Sequence, residues 1–600
     1  MTGTRRKAAL GLAALMSMGI LGFVNVAAAE GESTAPTDKV TFTIGATTDM
    51  KTANPFKSAG GSEYEMFFLN YDMLYNFSQD TLEPESALAE YPPDQSADGK
   101  TWTFKIRSGV TWSDGEPLTA ADIAFTYNLI NEKGLGAFRS ELGDPIDKNA
   151  FEAPNDTTLI WHMQTATLAP LAPPWVPIVP EHIWGKFAAP QYTSKDIKEF
   201  RNVPAVGSGP FHLTEWREGQ FWQMETNPDY WMGAANIDEV IFRVYGNPEA
   251  LSLALTTGEI DAAESLPPSI FNTLQDEPNI QTNIASAGCF EDLAFNFEGT
   301  GDPSLRDEAV RDAIAVAINR ESMVDRVALG YASAGTTFVL PSFARYHWEP
   351  PANEVQSYDP QAAKDLLDSA GYLDVDGDGL RETPDGQPWQ LEVLTISDYV
   401  YSVPEGKLIV GWMNDVGIDT TIKTVSEGQA FDLWGDQDFD MYVWSWGPSP
   451  DPDFISSIFT TDQCLSWSDG CYSDPAYDKL YEEQRAATEF ADRQAVMTKM
   501  QQYVYDKNPL IVLNYQSSLQ AYRTDRFTGF VKQPQPQGYI FYGYGPVSYL
   551  NIKPVSATDG GTSGSSTGVP TGVLVGLGAA MIFAGAAATM WRRKGRADTE

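Results

Sequence analysis

The fold class predicted by the sequence is α/β with mostly covered sheets. Two observations carry it. Segments patterned as strands alternate with segments patterned as helices along the whole body. The helices also carry their own start and stop signals, so each reads as a separate unit. No internal repeat at a fixed period competes with this reading.

Residues 39–44 (KVTFTI) alternate as a half-buried strand and run into the polar loop TTDMKTANPF. In WTFKIRSGVTWSDGEPLTAADIAFTYN, 102–128, Trp102, Phe104 and Ile106 alternate with Thr103, Lys105 and Arg107. Turn residues bracket a short second strand at 110–112. Thr119, with Asp122 three residues on, starts a helix whose Ile123, Tyr127 and Ile130 share one face. Residues 156–161 read as a strand, 170–180 as a Pro-rich crossing, and VGSGPFHLTEW, 206–216, as a Gly-Pro turn feeding a strand. A strand follows at 240–244 and a helix at 248–257 that Gly258 stops. Val310, Ile314 and Ala317 stripe the next helix, and 359–370 form a capped one. WQLEVLTI then reads as a strand, KLIVGWMNDVGI as a helix, and DTTIKTV and FDMYVWSW as two further strands.

The chain ends suggest a location. Arg5, Arg6 and Lys7 precede an apolar run over 8–26, and Ala27, Ala28 and Ala29 offer small residues for cleavage, so 1–29 are expected to be a signal peptide. The residues after the arginine pair suit the general secretory route better than the twin-arginine one. No cysteine near the cleavage point is available for lipid attachment. Residues 571–590 carry no charge and precede Arg592, Arg593, Lys594 and Arg596. A helix of that length reaches about 30 Å, which predicts one C-terminal transmembrane helix and a cytoplasmic tail over 591–600. A Ser/Thr/Gly linker over 556–568, with a reach of about 20 Å, would tether the body at the extracellular face of the cell membrane. Cys464 and Cys471 enclose only LSWSDG, the spacing of a loop-closing disulfide, which leaves Cys289 alone.

Composition excludes some functions. Asp and Glu number 81 against 40 Lys and Arg, a balance that repels nucleic acid. His162, His182, His212 and His347 show no pair at metal-ligand spacing. No Gly-x-Ser-x-Gly elbow or P-loop appears, and VGSGPF opens a strand, so its glycines cannot present a helix N-terminus to phosphate. An enzyme has no residues to stand on. One stretch resembles a cation loop: DVDGDGLRETPD, 374–385, sets Asp374, Asp376 and Asp378 at positions one, three and five, Leu380 at seven and Asp385 at twelve of a Ca²⁺ loop. Asp in place of Glu at twelve, Pro384 at the exit and a following strand depart from that pattern, and a solvated acidic loop is the alternative. No other cofactor is required.

These pieces together resemble a family. The 102–128 stretch, VGSGPFHLTEW, NPDYWMG, ALTTGEIDA, LRDEAVRDAIAVAINRESMV, AAKDLLDSAGY, MNDVGID, WSWGPSPDPDF and YSDPAYDKLYEEQ, in that order, are similar to the family-5 extracellular solute-binding proteins of ABC importers. That is the peptide-, nickel- and oligosaccharide-binding class, and the likeness covers nearly all of 38–552. It implies a two-lobed, periplasmic-binding-protein-like (Venus flytrap) fold with an extra small domain in the N-terminal lobe. The expected body is 38–555, with lobe I at about 38–60, 190–285 and 516–555, the extra domain at about 61–189 and lobe II at about 286–515. The 102–128 motif then belongs to the extra domain and is scaffold.

The resemblance places the ligand between the lobes. Trp444 and Trp446 share a strand face before a Pro-rich loop, and the family parallel makes Trp446 a wall of the cleft. Asn54, Phe56 and Glu63 fall where lobe I faces ligand, Asn296 follows a strand into lobe II, and Tyr399 and Tyr401 precede a helix whose N-terminus could receive an anionic group. The aspartate that clamps a peptide's amino terminus in the family is replaced by Pro448. The implied function is capture of a solute, oligopeptide-like or an oligosaccharide, by a monomer that delivers it to an ABC permease and its ATPase. A solute sensor on the same fold is the other reading.

Overall fold

Two long strands in the middle of the sheet organise the fold. The computed structural model describes residues 39–57, 61–135, 142, 145–146, 148–168, 171, 176–447, 449–541 and 543–555. Its main sheet has eleven strands: β1 (Thr41–Ala46), β2 (Phe211–Arg217), β3 (Phe221–Thr226), β4 (Glu239–Val244), β5 (Ala262–Ala263), β6 (Ile280–Phe295), β7 (Ala332–Ala334), β8 (Gln390–Ile396), β9 (Asp419–Val425), β10 (Met441–Trp446) and β11 (Leu510–Arg523). The order is β9-β8-β10-β6-β11-β5-β1-β4-β3-β2, with β7 paired to β11 off this path. β6 and β11 run antiparallel, and their register breaks between Ala285 and Cys289 and again between Glu291 and Asp292. Bulges bend a strand and sharpen its twist. The first break separates the β6 residues level with β5 from those that pair with β10.

Each half of the sheet packs its own apolar core, which makes the body two-lobed. In one half Phe42, Ile44, Leu213, Trp222, Val240 and Phe242 are closed to solvent. In the other, Leu293, Leu391, Val393, Met441 and Val443 pack on Ile409 and Met413 of a helix at Ser402–Asp415. Burial of each such side chain contributes about 1.5–3 kcal/mol.

The 102–128 stretch is scaffold in the structure. Thr101–Lys105 lies in a separate four-stranded sheet ordered Asp94–Gln95, Thr101–Lys105, Thr158–His162, Phe151–Asn155. Trp102, Phe104, Trp112 and Trp161 are all buried there. Helix α1 (Ala120–Lys133) starts with the expected capping box between Thr119 and Asp122 and ends at Gly134 in the left-handed region, φ 60°. The expected strand at 110–112 is only a bridge from Thr111 to Pro117, because the turns on either side leave no length for a ladder. VGSGPF is a close-approach turn: a Cβ on Gly207 would stand 1.8 Å from the carbonyl oxygen of Asn70.

The fold class needs one correction. Among the described residues no helix is long and apolar enough to cross a membrane. The transmembrane helix expected over 571–590 lies outside the described residues and is not among the elements they form. The signal peptide over 1–29, the linker over 556–568 and Pro448 lie outside them too.

Candidate ligand-binding site

Strand alternation builds one wall of a hollow. On β10, Met441 and Val443 turn into the lobe core, so Tyr442 and Trp444 project from the opposite face. Against that face lies the helix after β9. The Ser402–Asp415 helix is α2, and this one, Glu427–Asp436, is α3. Ser426 and Gln429 form a reciprocal capping box that fixes its start, and its spacing puts Phe431 and Trp434 toward the sheet. Between them is a cavity of about 230 Å³ lined by Leu394, Ile396, Phe431, Trp434, Tyr442, Trp444, Trp446, Trp467 and Asp469.

A disulfide completes the site. Cys464 and Cys471 are bonded as their spacing suggested, and the short loop they close carries Trp467 and Asp469. Asp469 is buried, and it accepts hydrogen bonds from Tyr442 Oη at 2.7 Å and from Trp446 Nε1 at 3.0 Å. Trp434 Nε1 donates to the carbonyl oxygens of Ser468 and Asp469 at 3.2 and 3.1 Å. The polar edges of three rings are thus taken up by one loop, and carbon and π surface remain for the cavity. Phe431 and Trp467, 51% and 43% exposed, stand at its open rim.

Burial sets the electrostatics. It pushes the Asp469 carboxyl up to about 6 and that of Glu291 up to about 8. It also raises Asp292 and Glu405 well above the usual carboxylate range, with neighbouring carboxylates adding to the effect. Glu405 lies in the first turn of α2, the helix that Tyr401 precedes.

The structure brings some of the expected residues together. Trp444 and Trp446 line the cavity, their ring centroids 6.5 Å apart, and Tyr399 lies 5.5 Å from Trp444. Tyr399 Oη donates to Glu427 at 2.9 Å. Glu427 meets Lys51 from the loop after β1 at 3.6 Å, and the Lys51 backbone N–H donates to Glu63 at 2.7 Å. Glu63 is itself buried and reaches this group only through Lys51. Tyr401 is half-buried on the far side of the strand, near Cys289, Glu291 and Glu405.

Three of the expected contact residues are turned into the fold. Asn54 is fully buried, and its amide donates to the carbonyls of Ile197 and Phe200, each at 2.7 Å. Phe56 is equally closed and packs edge-on against Trp184 at 5.1 Å. Asn296 donates to the carbonyls of Gln437 and Phe439 at 3.0 and 2.8 Å. The two asparagine amides close chain turns, and the Phe56 ring is taken up in packing. Of the acidic loop, Asp374, Asp376 and Asp378 bring carboxylate oxygens within 4.8 Å of one another. Asp385 is outside that group and accepts from Thr383 Oγ1 at 2.5 Å, while the Leu380 N–H donates to Asp378.

Sequence reasoning missed Phe431, Trp434, Trp467 and Asp469. The signal available was an i, i+3 aromatic pair and a Trp-x-Asp inside a cysteine loop, neither of which says what it faces.

Residues 83–466 match the family model described as bacterial extracellular solute-binding proteins, family 5 Middle. The chain belongs to that family. It is a family of solute-binding proteins and not of enzymes. Relatives include Protein XP55 of Streptomyces lividans, 32% identical over 51% of this chain and 53% of the relative, so the chain spans about half of that protein's length. The oligopeptide-binding protein AppA of Bacillus subtilis is 24% identical over 78% of this chain and 85% of the relative. Among solved structures, NikZ from Campylobacter jejuni in complex with Ni(L-His) superposes with a TM-score of 0.73 at 21% identity, covering 86% of this chain and 100% of that one. A likeness at that identity shows the fold alone.

Proposed function

We propose that the chain captures an oligopeptide-like solute between its two lobes, outside the cell membrane, and delivers it to the permease and ATPase of an ABC importer. The observation that carries this reading is the joining of two separately cored half-sheets through β6 and β11, with an aromatic hollow beside the point where Lys51 meets Glu427. Such an arrangement lets a ligand that touches both lobes shift the population toward the closed form. In this reading lobe I comprises about 38–60, 190–285 and 516–555, the extra domain about 61–189, and lobe II about 286–515. Tyr399, Trp444 and Trp446 form the ligand wall. AppA of Bacillus subtilis, named for oligopeptide binding, supports the solute class. The exposed faces of Phe431 and Trp467 favour one second reading, an oligosaccharide stacked on flat rings. The loop at Asp374, Asp376 and Asp378 holds a structural Ca²⁺ in the same proposal.

A thermal-shift screen of the body against peptide, oligosaccharide and metal-chelate pools tests it, because a ligand bound only by the folded form raises Tm by mass action. A clear shift with peptides is expected. Shifts with sugars alone would favour the second reading, and flat curves throughout would overturn both.

A further inference from the structure

One hairpin of the proposed extra domain reaches across to lobe II. Its strands, Tyr75–Phe77 and Pro84–Ser86, pair antiparallel, and Ser78 organises the turn between them. Ser78 Oγ accepts from the backbone N–H groups of Asp80 and Thr81, and the Ser78 carbonyl accepts from that of Leu82. On the lobe I side the hairpin is held by polar bonds. Gln533 Nε2 donates to the Phe77 carbonyl at 2.9 Å, and the Gln535 N–H donates to that of Gln79 at 3.1 Å.

Toward lobe II the contact is apolar. Phe77 and Leu82, each 5% exposed, belong to one buried cluster with Phe343 and Tyr346. The Tyr544 ring joins the two sides, 5.8 Å from Phe77 and 6.3 Å from Phe343. Leu82 is presented there in the left-handed region, φ 58°, which a leucine rarely adopts. Residues other than glycine keep such a conformation where their surroundings impose it. Yet the two faces do not interlock. A cavity of about 50 Å³ lies between them, with Phe77, Leu82 and Glu83 on one side and Phe343, Tyr346 and Arg493 on the other. Protein interiors leave few voids larger than a water molecule, so a hole along this contact marks a seam between bodies.

We propose that the hairpin is a latch: Phe77 and Leu82 hold the extra domain against lobe II without ligand, and opening of the lobes pulls them away. The inference takes the lobes from the receptor reading and goes beyond it, since that reading leaves closure to the solute alone.

The two kinds of contact fit this division. Polar anchoring makes the hairpin travel with lobe I. Carbon surfaces can leave lobe II without stranding a buried donor or acceptor. A small apolar contact also biases the balance between open and closed forms without fixing it, because its worth scales with the area covered. A ligand that needs the closed form then binds more tightly by the factor by which the latch raises the closed fraction.

Solution scattering of the ligand-free chain tests the latch, with Leu82→Asn set against the parent. Asparagine accepts the left-handed backbone, so the turn is kept while the apolar contact is lost. Each protein is measured well below its own melting transition, so that folded states are compared. The variant is expected to have a larger radius of gyration than the parent in low and high salt alike, because salt screens charges and not apolar contact. Equal dimensions would mean that the hairpin is packed in place whatever Leu82 does, and would overturn the latch even if Tm fell. An expansion confined to low salt assigns the effect to charge and overturns it too. If Leu82→Asn does not fold, Leu82→Ala replaces it under the same outcomes. The measurement uses no solute. A flat peptide screen beside an expanded variant therefore sinks the receptor reading and leaves the latch, and peptide shifts beside equal dimensions do the reverse.

Discussion

Arg493 donates to Asp451 through both terminal nitrogens, each at 2.7 Å, and the pair is nearly closed to solvent. Burial alone raises the Asp451 carboxyl, but Arg493 outweighs it and holds the group below the usual carboxylate range. The aspartate of the Asp-Pro pair thus ties the loop after β10 to the helix at Phe490–Lys507 and positions the end of the strand that carries Trp446. Arg493→Met leaves a carboxylate buried and unpaired, which should cost about 3–5 kcal/mol in urea unfolding. Adding Asp451→Leu should restore much of the loss. A single variant within about 1 kcal/mol of the parent would mean the pair does not hold the loop.

Asn54 and Asn296 should behave as structural residues. Asn54→Ala leaves the carbonyls of Ile197 and Phe200 without their donor, at about 1–3 kcal/mol for a buried group left unsatisfied. Solute affinity of the folded fraction should not change. A variant of normal Tm with weakened binding would return Asn54 to the ligand.

Stability should fall as pH rises from 5 to 8. Burial pushes Asp72 and Asp261 up to about 6, as it does Asp469, and Glu291 up to about 8. A carboxyl with a raised folded-state pKa binds a proton more tightly folded than unfolded. Its stabilisation is complete below the unfolded value and is lost as pH climbs through the folded one. Tm should therefore be higher at pH 5 than at pH 8, and Glu291→Gln should flatten the upper part of that slope. A Tm that rises steadily over this range would contradict these assignments.

The Lys51–Glu427 pair joins the loop after β1 to α3, with Lys51 72% exposed. Exposed pairs are worth about 0–1 kcal/mol and are screened by salt. Lys51→Met should leave Tm nearly unchanged, while Lys51→Glu, set against Glu427, should enlarge the unliganded body in solution scattering at low salt. The same dimensions for both variants and the parent would deny the pair any part in holding the lobes.

Chelator should lower Tm, and Asp376→Ala should abolish that sensitivity, because a Ca²⁺ bound only by the folded form stabilises it. An unchanged curve reduces 374–385 to an acidic turn.

Local structure was legible in the sequence wherever the deciding interaction is between near neighbours. The Thr119–Asp122 capping box, the stop at Gly258, the alternation of Trp102, Phe104 and Ile106, and the Cys464–Cys471 loop each depend on residues within a few positions of one another. The ordered motifs sufficed for the family and hence for the lobes. The site depended on the tertiary structure. Asn54, Phe56 and Asn296 are polar or aromatic residues in loops, and nothing nearby reveals that carbonyls at 197, 200, 437 and 439 or the ring of Trp184 will occupy them. Asp469 reaches Trp446, and Asp292 faces Trp444, only because α3, β6, β10 and the disulfide loop converge. A charge is expensive or useful according to what surrounds it in space, and that environment is set by packing between segments far apart in the chain.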